Sequence, residues 1–123
     1  MGRAYHSAPH SHRPPLDQSR KAVTLSLMRA SHLEEYYQFL RFPSISTDDE
    51  YSDKVAECAH WLVKKLTSIG LEAMLMPTPG HPVVWAKNKH QPGRKTVMIY
   101  GHYDVQPPDP LELWDSPPFD PVL

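Results

Sequence analysis

The amino-acid sequence predicts an α/β fold in which two helices are followed by a small sheet of about three strands. Two observations support this class. Two amphipathic helical stripes lie between residues 31 and 69, and three apolar runs of strand length follow them before residue 101. A chain of 123 residues has room for one domain or part of one. This order of elements is typical of the opening of an α/β sandwich.

The first helix is predicted to begin at Ser31, because Ser31 and Glu34 have the spacing of a capping box. Pro43 should end it, since the residue before a proline avoids helical geometry. Four apolar or aromatic residues then recur at the spacing of one helix face: Leu33, Tyr36, Tyr37 and Leu40.

The second helix is predicted from a longer apolar stripe and a glycine stop. Thr47 with Glu50, or Asp53, is expected to cap its start. Gly70 is expected to end it in a left-handed conformation. Trp61 flanks the stripe and is expected to pack in the core. The stripe consists of Val55, Ala59, Leu62, Leu66 and Ile69.

Three strands are predicted after the helices. Residues 71–76 alternate between apolar and other side chains, and residues 82–87 contain a short apolar run. Residues 96–100, with the sequence TVMIY, are apolar almost throughout, as expected for a strand covered on both faces. We expect this strand to be central, with one flank left unpaired in this chain.

Composition excludes several classes of function. The chain has 13 Lys and Arg against 14 Asp and Glu, so no charge bias favours nucleic acid or an anionic membrane. No apolar stretch has the length of a membrane span. The single cysteine, Cys58, excludes an intrachain disulfide and fits a reducing compartment, so a cytoplasmic location is expected.

Residues 1–21 differ in composition from the rest of the chain. They are polar and contain three prolines and three histidines, with no apolar core of a secretory signal. Such a segment buries too little apolar surface to offset its ordering entropy. We therefore expect a disordered tail over residues 1–21 and a folded portion over residues 22–123.

The candidate site follows the third predicted strand. Residues i and i+2 of a strand point to the same side, so His102 and Asp104 should lie next to each other at its carboxyl end. Sites form at this end in open α/β sheets. Imidazole is a good zinc ligand when a carboxylate fixes its tautomer. Gly101 is expected to allow close backbone packing beside it. A His-x-Asp pair alone is more often an ordinary hydrogen-bonded pair.

The flanking residues make the pattern more specific. Residues 100–119 resemble the first metal-ligand motif of the M20 family of di-zinc metallopeptidases, in its dipeptidase and carboxypeptidase branch. The upstream segments FLRFPSIS and LTSIGLE are also similar to the family. The resemblance covers residues 31–123, and the motif residues are Gly101, His102, Asp104, Val105, Pro107, Trp114, Pro118 and Phe119.

The resemblance implies a fold, a cofactor and roles for residues. The fold would be the N-terminal part of a zinc-exopeptidase-like three-layer sandwich. In the family, two zinc ions and a glutamate base activate a water molecule. By position, His102 would bind one zinc and Asp104 would act in catalysis by orienting the imidazole. The substrate of the full enzyme would be a short peptide or dipeptide. Trp114 and Phe119 are expected to have packing roles.

The sequence also departs from the family pattern. The bridging aspartate, the glutamate base, the other metal ligands and the second, smaller domain are expected beyond residue 123. We therefore expect an N-terminal portion of a catalytic domain that is inactive by itself, since a catalytic zinc site needs at least three protein ligands. Two alternatives remain open. One is a non-catalytic product that acts, if at all, by binding, and the other is an N-acyl-amino-acid deacylase.

Overall fold

A computed structural model describes residues 30–122, and for Ala30 only the backbone. The predicted tail over residues 1–21 lies outside these residues. From Glu34 onwards the chain forms one compact unit. None of the helices in the described part is long and apolar enough to cross a membrane. The elements are helix α1 (Ala30–Leu40), a 3-10 turn (Asp49–Tyr51), helix α2 (Ser52–Ser68), strands β1 (Glu72–Met76) and β2 (Val83–Lys87), and a second 3-10 turn (Leu111–Leu113).

Helix α1 ends where the sequence predicts and begins earlier than predicted. Ala30 already belongs to the helix, so Ser31 lies inside it and the capping-box prediction is wrong. The helix ends at Leu40, and Arg41 closes the last turn by donating its N–H to the Tyr37 carbonyl at 3.0 Å. Pro43 follows directly, in agreement with its predicted role as a stop.

Asp48 caps the 3-10 turn that leads into helix α2, and the helix itself has no side-chain cap. A 3-10 turn precedes the helix, and the Asp48 carboxylate accepts a hydrogen bond from the Glu50 N–H at 3.0 Å. Tyr51 is the N-cap of the helix itself and makes no side-chain capping bond. The predicted caps, Thr47 and Asp53, are therefore wrong. Because the 3-10 turn precedes the helix, the first backbone N–H groups without a partner belong to this turn, where the Asp48 carboxylate reaches them.

The end of helix α2 and the packing of its aromatic flank follow the prediction. Gly70 has a φ of +90°, the left-handed geometry that glycine adopts without strain. The Trp61 ring lies 5.9 Å from the rings of both Phe39 and Phe42, measured between centroids, so it joins α2 to the end of α1. Glu35 and Lys65 form an ion pair between the two helices.

The core of the described region is small. Helix α2 packs against both strands. Leu62 and Leu66 of the predicted stripe are only half-buried, and Ile69 is exposed. The hydrophobic residues that are fully buried are Ile45, Val55, Cys58 and Ala59. The core therefore lies where the first half of α2 meets the loop that follows α1.

The two strands form an antiparallel hairpin close to the predicted bounds. Its register pairs Glu72 with Lys87 at the open end and Met76 with Val83 near the turn. Leu75 and the other inward side chains are half-buried, and the alternate positions are exposed. This alternation is typical of a sheet with one face on the helix layer. The chain is therefore a partial α/β domain, as predicted.

The third predicted strand does not form. Residues 96–100 have no ladder hydrogen bonds to any other residue between 30 and 122, so the prediction of a central strand here is wrong. The side chains of Val97, Met98, Ile99 and Tyr100 are 79% to 94% exposed. An apolar run has the composition of a buried strand, but a strand also needs partners for its backbone N–H and C=O groups. An unpaired flank was expected here, and with it partial exposure of Val97 and Ile99, which the structure confirms.

Candidate metal site at His102

The candidate site is held in place by the loop that follows α1. Ile45 pairs with Val105 in an isolated parallel β-bridge. The Val105 N–H donates to the Ser44 carbonyl at 2.9 Å, and the Ser46 N–H donates to the Val105 carbonyl at 3.3 Å. Residues 44–46 and 103–105 therefore run side by side, although they lie about 60 positions apart in the sequence.

The structure brings the two predicted site residues, His102 and Asp104, into contact. His102 Nδ1 lies 3.0 Å from Asp104 Oδ1, and His102 Nε2 lies 3.1 Å from the Tyr100 hydroxyl. The tyrosine ring meets the imidazole edge-on, with centroids 5.4 Å apart. An ionised carboxylate only accepts hydrogen bonds, so Nδ1 carries the proton and donates it. The lone pair of Nε2 is then left facing the Tyr100 hydroxyl.

Ser46 is a site residue that sequence reasoning missed. Its hydroxyl donates to Asp104 Oδ2 at 2.6 Å. This hydrogen bond is the main reason that the pKa of the Asp104 carboxyl lies below its usual value; partial burial opposes the shift, and the contact with His102 adds to it. Asp104 is therefore ionised at neutral pH and able to accept from the imidazole. No spacing rule relates Ser46 to Asp104, and only the parallel bridge reveals the contact.

The backbone between the two site residues is fixed by buried groups. The carbonyl of Tyr103 accepts from the Ser44 hydroxyl at 2.7 Å and from the Cys58 thiol at 3.6 Å. The Tyr103 hydroxyl donates to the Pro82 carbonyl. Burial raises the pKa of Cys58 to about 11, and the Ser44 hydroxyl opposes part of that shift. These contacts place His102 and Asp104 on a backbone held from three directions.

Gly101 and Trp114, two residues of the motif, pack less closely than the sequence predicts. A Cβ added at Gly101 would meet no atom within 4 Å, so the prediction of close backbone packing there is wrong. The unpaired neighbours at residues 96–100 leave this stretch open to solvent. Trp114 is half-exposed, and its indole N–H donates to the Pro108 carbonyl at 2.8 Å, which folds the proline-rich loop on itself.

A cavity of about 610 Å³ opens beside the His102 imidazole. Its polar lining comes from Ser46, His81, His102 and Asp104, and side chains of both helices and β2 supply apolar walls. A second groove of about 640 Å³ lies around Phe42 on the outer side of α2 and shares no residue with the first. The cavity at His102 therefore joins the polar pair to an apolar surface.

The donor set at this cavity supplies one metal ligand. His102 has the tautomer in which Nε2 carries the lone pair that could coordinate a metal, and Asp104 occupies the other ring nitrogen, as is usual for metal-bound histidines. Within residues 30–122, no three His, Cys, Asp or Glu side chains are grouped closely enough to hold an ion. The residues present thus fit one corner of a metal site, and the metal and catalytic roles of His102 and Asp104 stay predictions.

Comparison with known proteins identifies the family. No protein-family model matches the chain. It is 31% identical to the Cys-Gly metallodipeptidase DUG1 of Candida albicans over 109 residues, or 78% of this chain and 22% of that protein. The crystal structure of an M20 family metallo-carboxypeptidase, Sso-CP2 from Sulfolobus solfataricus, superimposes with a TM-score of 0.66 and 39% identity over 78% of this chain and 21% of that one. The chain belongs to the M20 family.

The proteins similar to this M20 chain catalyse more than one kind of hydrolysis. The dipeptidase Dug1p of Saccharomyces cerevisiae superimposes with a TM-score of 0.62 and 27% identity, over 85% of this chain and 23% of that one. A succinyl-diaminopimelate desuccinylase of Burkholderia lata is 34% identical over 87 residues, covering 69% of this chain and 21% of that protein. The M20 chain spans about a fifth of the length of these relatives. Metallopeptidase relatives imply a metal cofactor for the complete site.

Proposed function

We propose that the chain supplies part of the active site of a zinc-dependent M20 hydrolase that cleaves short peptides, dipeptides above all. In this proposal, His102 Nε2 is a zinc ligand and Asp104 orients the imidazole. The observation that carries it is the 3.0 Å hydrogen bond from His102 Nδ1 to Asp104 Oδ1, which leaves Nε2 as an acceptor at the mouth of a cavity. The relatedness to metallodipeptidases supports the choice of substrate.

The chain's own residues prepare one ligand for this chemistry. A zinc ion held by His102 and further ligands would supply Lewis-acid chemistry toward the scissile carbonyl and a water molecule. Asp104, whose pKa the Ser46 hydroxyl lowers, holds the proton on Nδ1 and raises the basicity of the ring. The Tyr100 hydroxyl, now 3.1 Å from Nε2, must release that nitrogen for coordination.

Under this proposal the chain needs residues beyond its own for turnover, and by itself it is inactive. A catalytic zinc site has three protein ligands and an open position, and the described residues contain no group of three possible ligands. An assay of the purified chain with zinc against a panel of dipeptides tests this expectation. Zinc-dependent hydrolysis that survives repurification and is lost in His102→Ala would contradict it.

The positive test transfers the site into a complete relative. In Dug1p of Saccharomyces cerevisiae, the aligned segment is replaced by residues 34–122 of this chain, and Cys-Gly hydrolysis is measured with zinc. We expect activity in the chimera and a loss of about a hundredfold or more in kcat/KM for His102→Gln, since removing even an outer partner of a ligand costs up to that factor. His90→Gln is the matched control, because His90 is an exposed loop histidine.

The outcomes of the chimera experiment separate the two hydrolase classes. Full activity in His102→Gln would refute the ligand role. The relatedness to desuccinylases favours amide deacylation as the second candidate, so the same chimera is assayed on an N-succinyl amino acid. Deacylation without dipeptide cleavage would move the proposal to that class. A folded, zinc-loaded chimera with neither activity would support a non-catalytic role.

A further inference from the structure

We propose that Ser46 is a positioning residue of this site: its hydroxyl fixes the Asp104 carboxylate so that Oδ1 faces the His102 ring nitrogen. This role deepens the proposed function and rests on it, because orienting the His102 ring serves catalysis when His102 is a zinc ligand. The geometry behind it stands independently, because it concerns contacts among the chain's own residues. Ser46 lies outside the family motif around His102, at the end of the segment FLRFPSIS in the loop after α1.

The two oxygens of Asp104 have different partners. Oδ2 accepts from the Ser46 hydroxyl at 2.6 Å, and Oδ1 meets His102 Nδ1 at 3.0 Å. The terminal torsion of an aspartate is broad, so a carboxylate with one partner rotates readily. A second donor on the opposite oxygen removes that freedom. The carboxylate is 30% exposed, so water would compete for Oδ2 if the serine hydroxyl were absent.

The backbone of Ser46 is itself anchored on both sides. Its N–H donates to the Val105 carbonyl at 3.3 Å, and its carbonyl oxygen lies 3.0 Å from Nε2 of His81, which donates to it. The preceding Ile45 is 3% exposed and forms the parallel bridge to Val105. The hydroxyl therefore reaches Asp104 from a backbone that cannot shift without breaking buried contacts.

The same loop contains a second serine with a different target. The Ser44 hydroxyl donates to the Tyr103 carbonyl, a backbone group, and the residue is 2% exposed. Ser44 and Ser46 thus hold the same segment, one through the backbone between the site residues and the other through the carboxylate. Removing the Ser44 hydroxyl leaves a buried carbonyl with one partner fewer, which lowers stability without touching Asp104. Ser44 is therefore the matched control for a structural effect.

The test reads the tautomer of His102 in the full chain without any metal. Histidine rings are labelled with ¹⁵N, and spectra are recorded at about pH 8.5, well above the ordinary histidine pKa of about 6.5. The His102 signals are those missing from His102→Gln. Solid-state detection on sedimented protein makes the measurement independent of self-association. The two ring nitrogens report the ratio of the Nδ1–H to the Nε2–H form.

The central comparison is Ser46→Thr against Ser46→Val, two side chains of the same shape that differ by one hydroxyl. We expect Ser46→Thr to keep the Nδ1–H form and Ser46→Val to lower its ratio by about threefold or more, because a carboxylate that rotates freely accepts the Nδ1–H hydrogen bond for less of the time. Ser44→Ala should lower the thermal midpoint and change the ratio less than Ser46→Val does, because its hydroxyl contacts the backbone and not the carboxylate.

Three outcomes would overturn the proposal. One is an unchanged tautomer ratio in Ser46→Val while the Val105 amide stays protected from exchange. Another is an equal change of the ratio in Ser44→Ala. Loss of Val105 protection in both Ser46→Thr and Ser46→Val would also count against it, since the loop would then depend on side-chain fit rather than on the hydroxyl. Because no metal is added, a failure of the zinc-ligand proposal in the chimera leaves this result standing.

Discussion

Replacement of Ile99 by lysine should abolish self-association of the isolated chain. Residues 96–100 present four apolar side chains to solvent, and Ile99, at 94% exposure, is the most exposed of them. Their backbone has no ladder partner in the described part of the chain. Exposed apolar segments with unpaired backbone groups pair with other chains. We therefore expect the unsubstituted chain to self-associate through this segment.

The expected size of the effect follows from the exposed side chains. Burying one large apolar side chain contributes about 1.5–3 kcal/mol, so four of them contribute about 6–12 kcal/mol per copy. This is comparable to the association cost of about 4–15 kcal/mol, and two copies contribute together. Loss of Ile99 removes about 2 kcal/mol per copy, or about 4 kcal/mol per dimer. Dimerisation should weaken about a thousandfold, since each 1.4 kcal/mol corresponds to about tenfold.

Sedimentation velocity over a wide range of protein concentration measures this directly. Leu113→Lys is the matched control, because Leu113 is 78% exposed and the substitution adds the same positive charge elsewhere. Ile99→Lys should sediment as a monomer where the unsubstituted chain and Leu113→Lys associate. Two results would refute the reasoning: a concentration-independent monomer with cooperative unfolding for the unsubstituted chain, or equal dissociation by both lysine variants.

Two further predictions concern stability. Because burial raises the pKa of Cys58 to about 11, its neutral thiol is favoured in the folded state. Below about pH 9 this thiol should not affect the free energy of unfolding. As the pH rises toward 11, the free energy of unfolding should fall by up to about 2–3 kcal/mol, at about 1.4 kcal/mol per pKa unit, which alkaline denaturation curves measure. An equal alkaline slope in Cys58→Ala would contradict this. Gly70→Ala should cost about 1 kcal/mol in urea denaturation, because its φ of +90° is strained for a residue with a Cβ. Gly101→Ala, where an added Cβ meets nothing within 4 Å, should be near neutral, and equal losses at both glycines would argue against the backbone explanation.

The sequence by itself determined the local features of this protein. Both helices and the hairpin follow from periodicity, from Pro43 and from Gly70, because each pattern is written within one element. The contact of His102 with Asp104 was also predictable, since two residues of an extended segment separated by one position face the same side. The predicted helix starts were wrong because a single extra turn of chain changes which side chain reaches the free N–H groups.

Only the tertiary structure decided which distant groups meet. Residues 96–100 have the composition of a central strand, yet a strand requires a neighbour whose backbone groups are in register, and composition does not provide one. The contact of Ser46 with Asp104 depends on the Ile45–Val105 bridge, across 58 positions of sequence. Such a contact arises from how the loop after α1 packs beneath the site, and a hydroxyl in a loop has no periodic pattern that would reveal its partner.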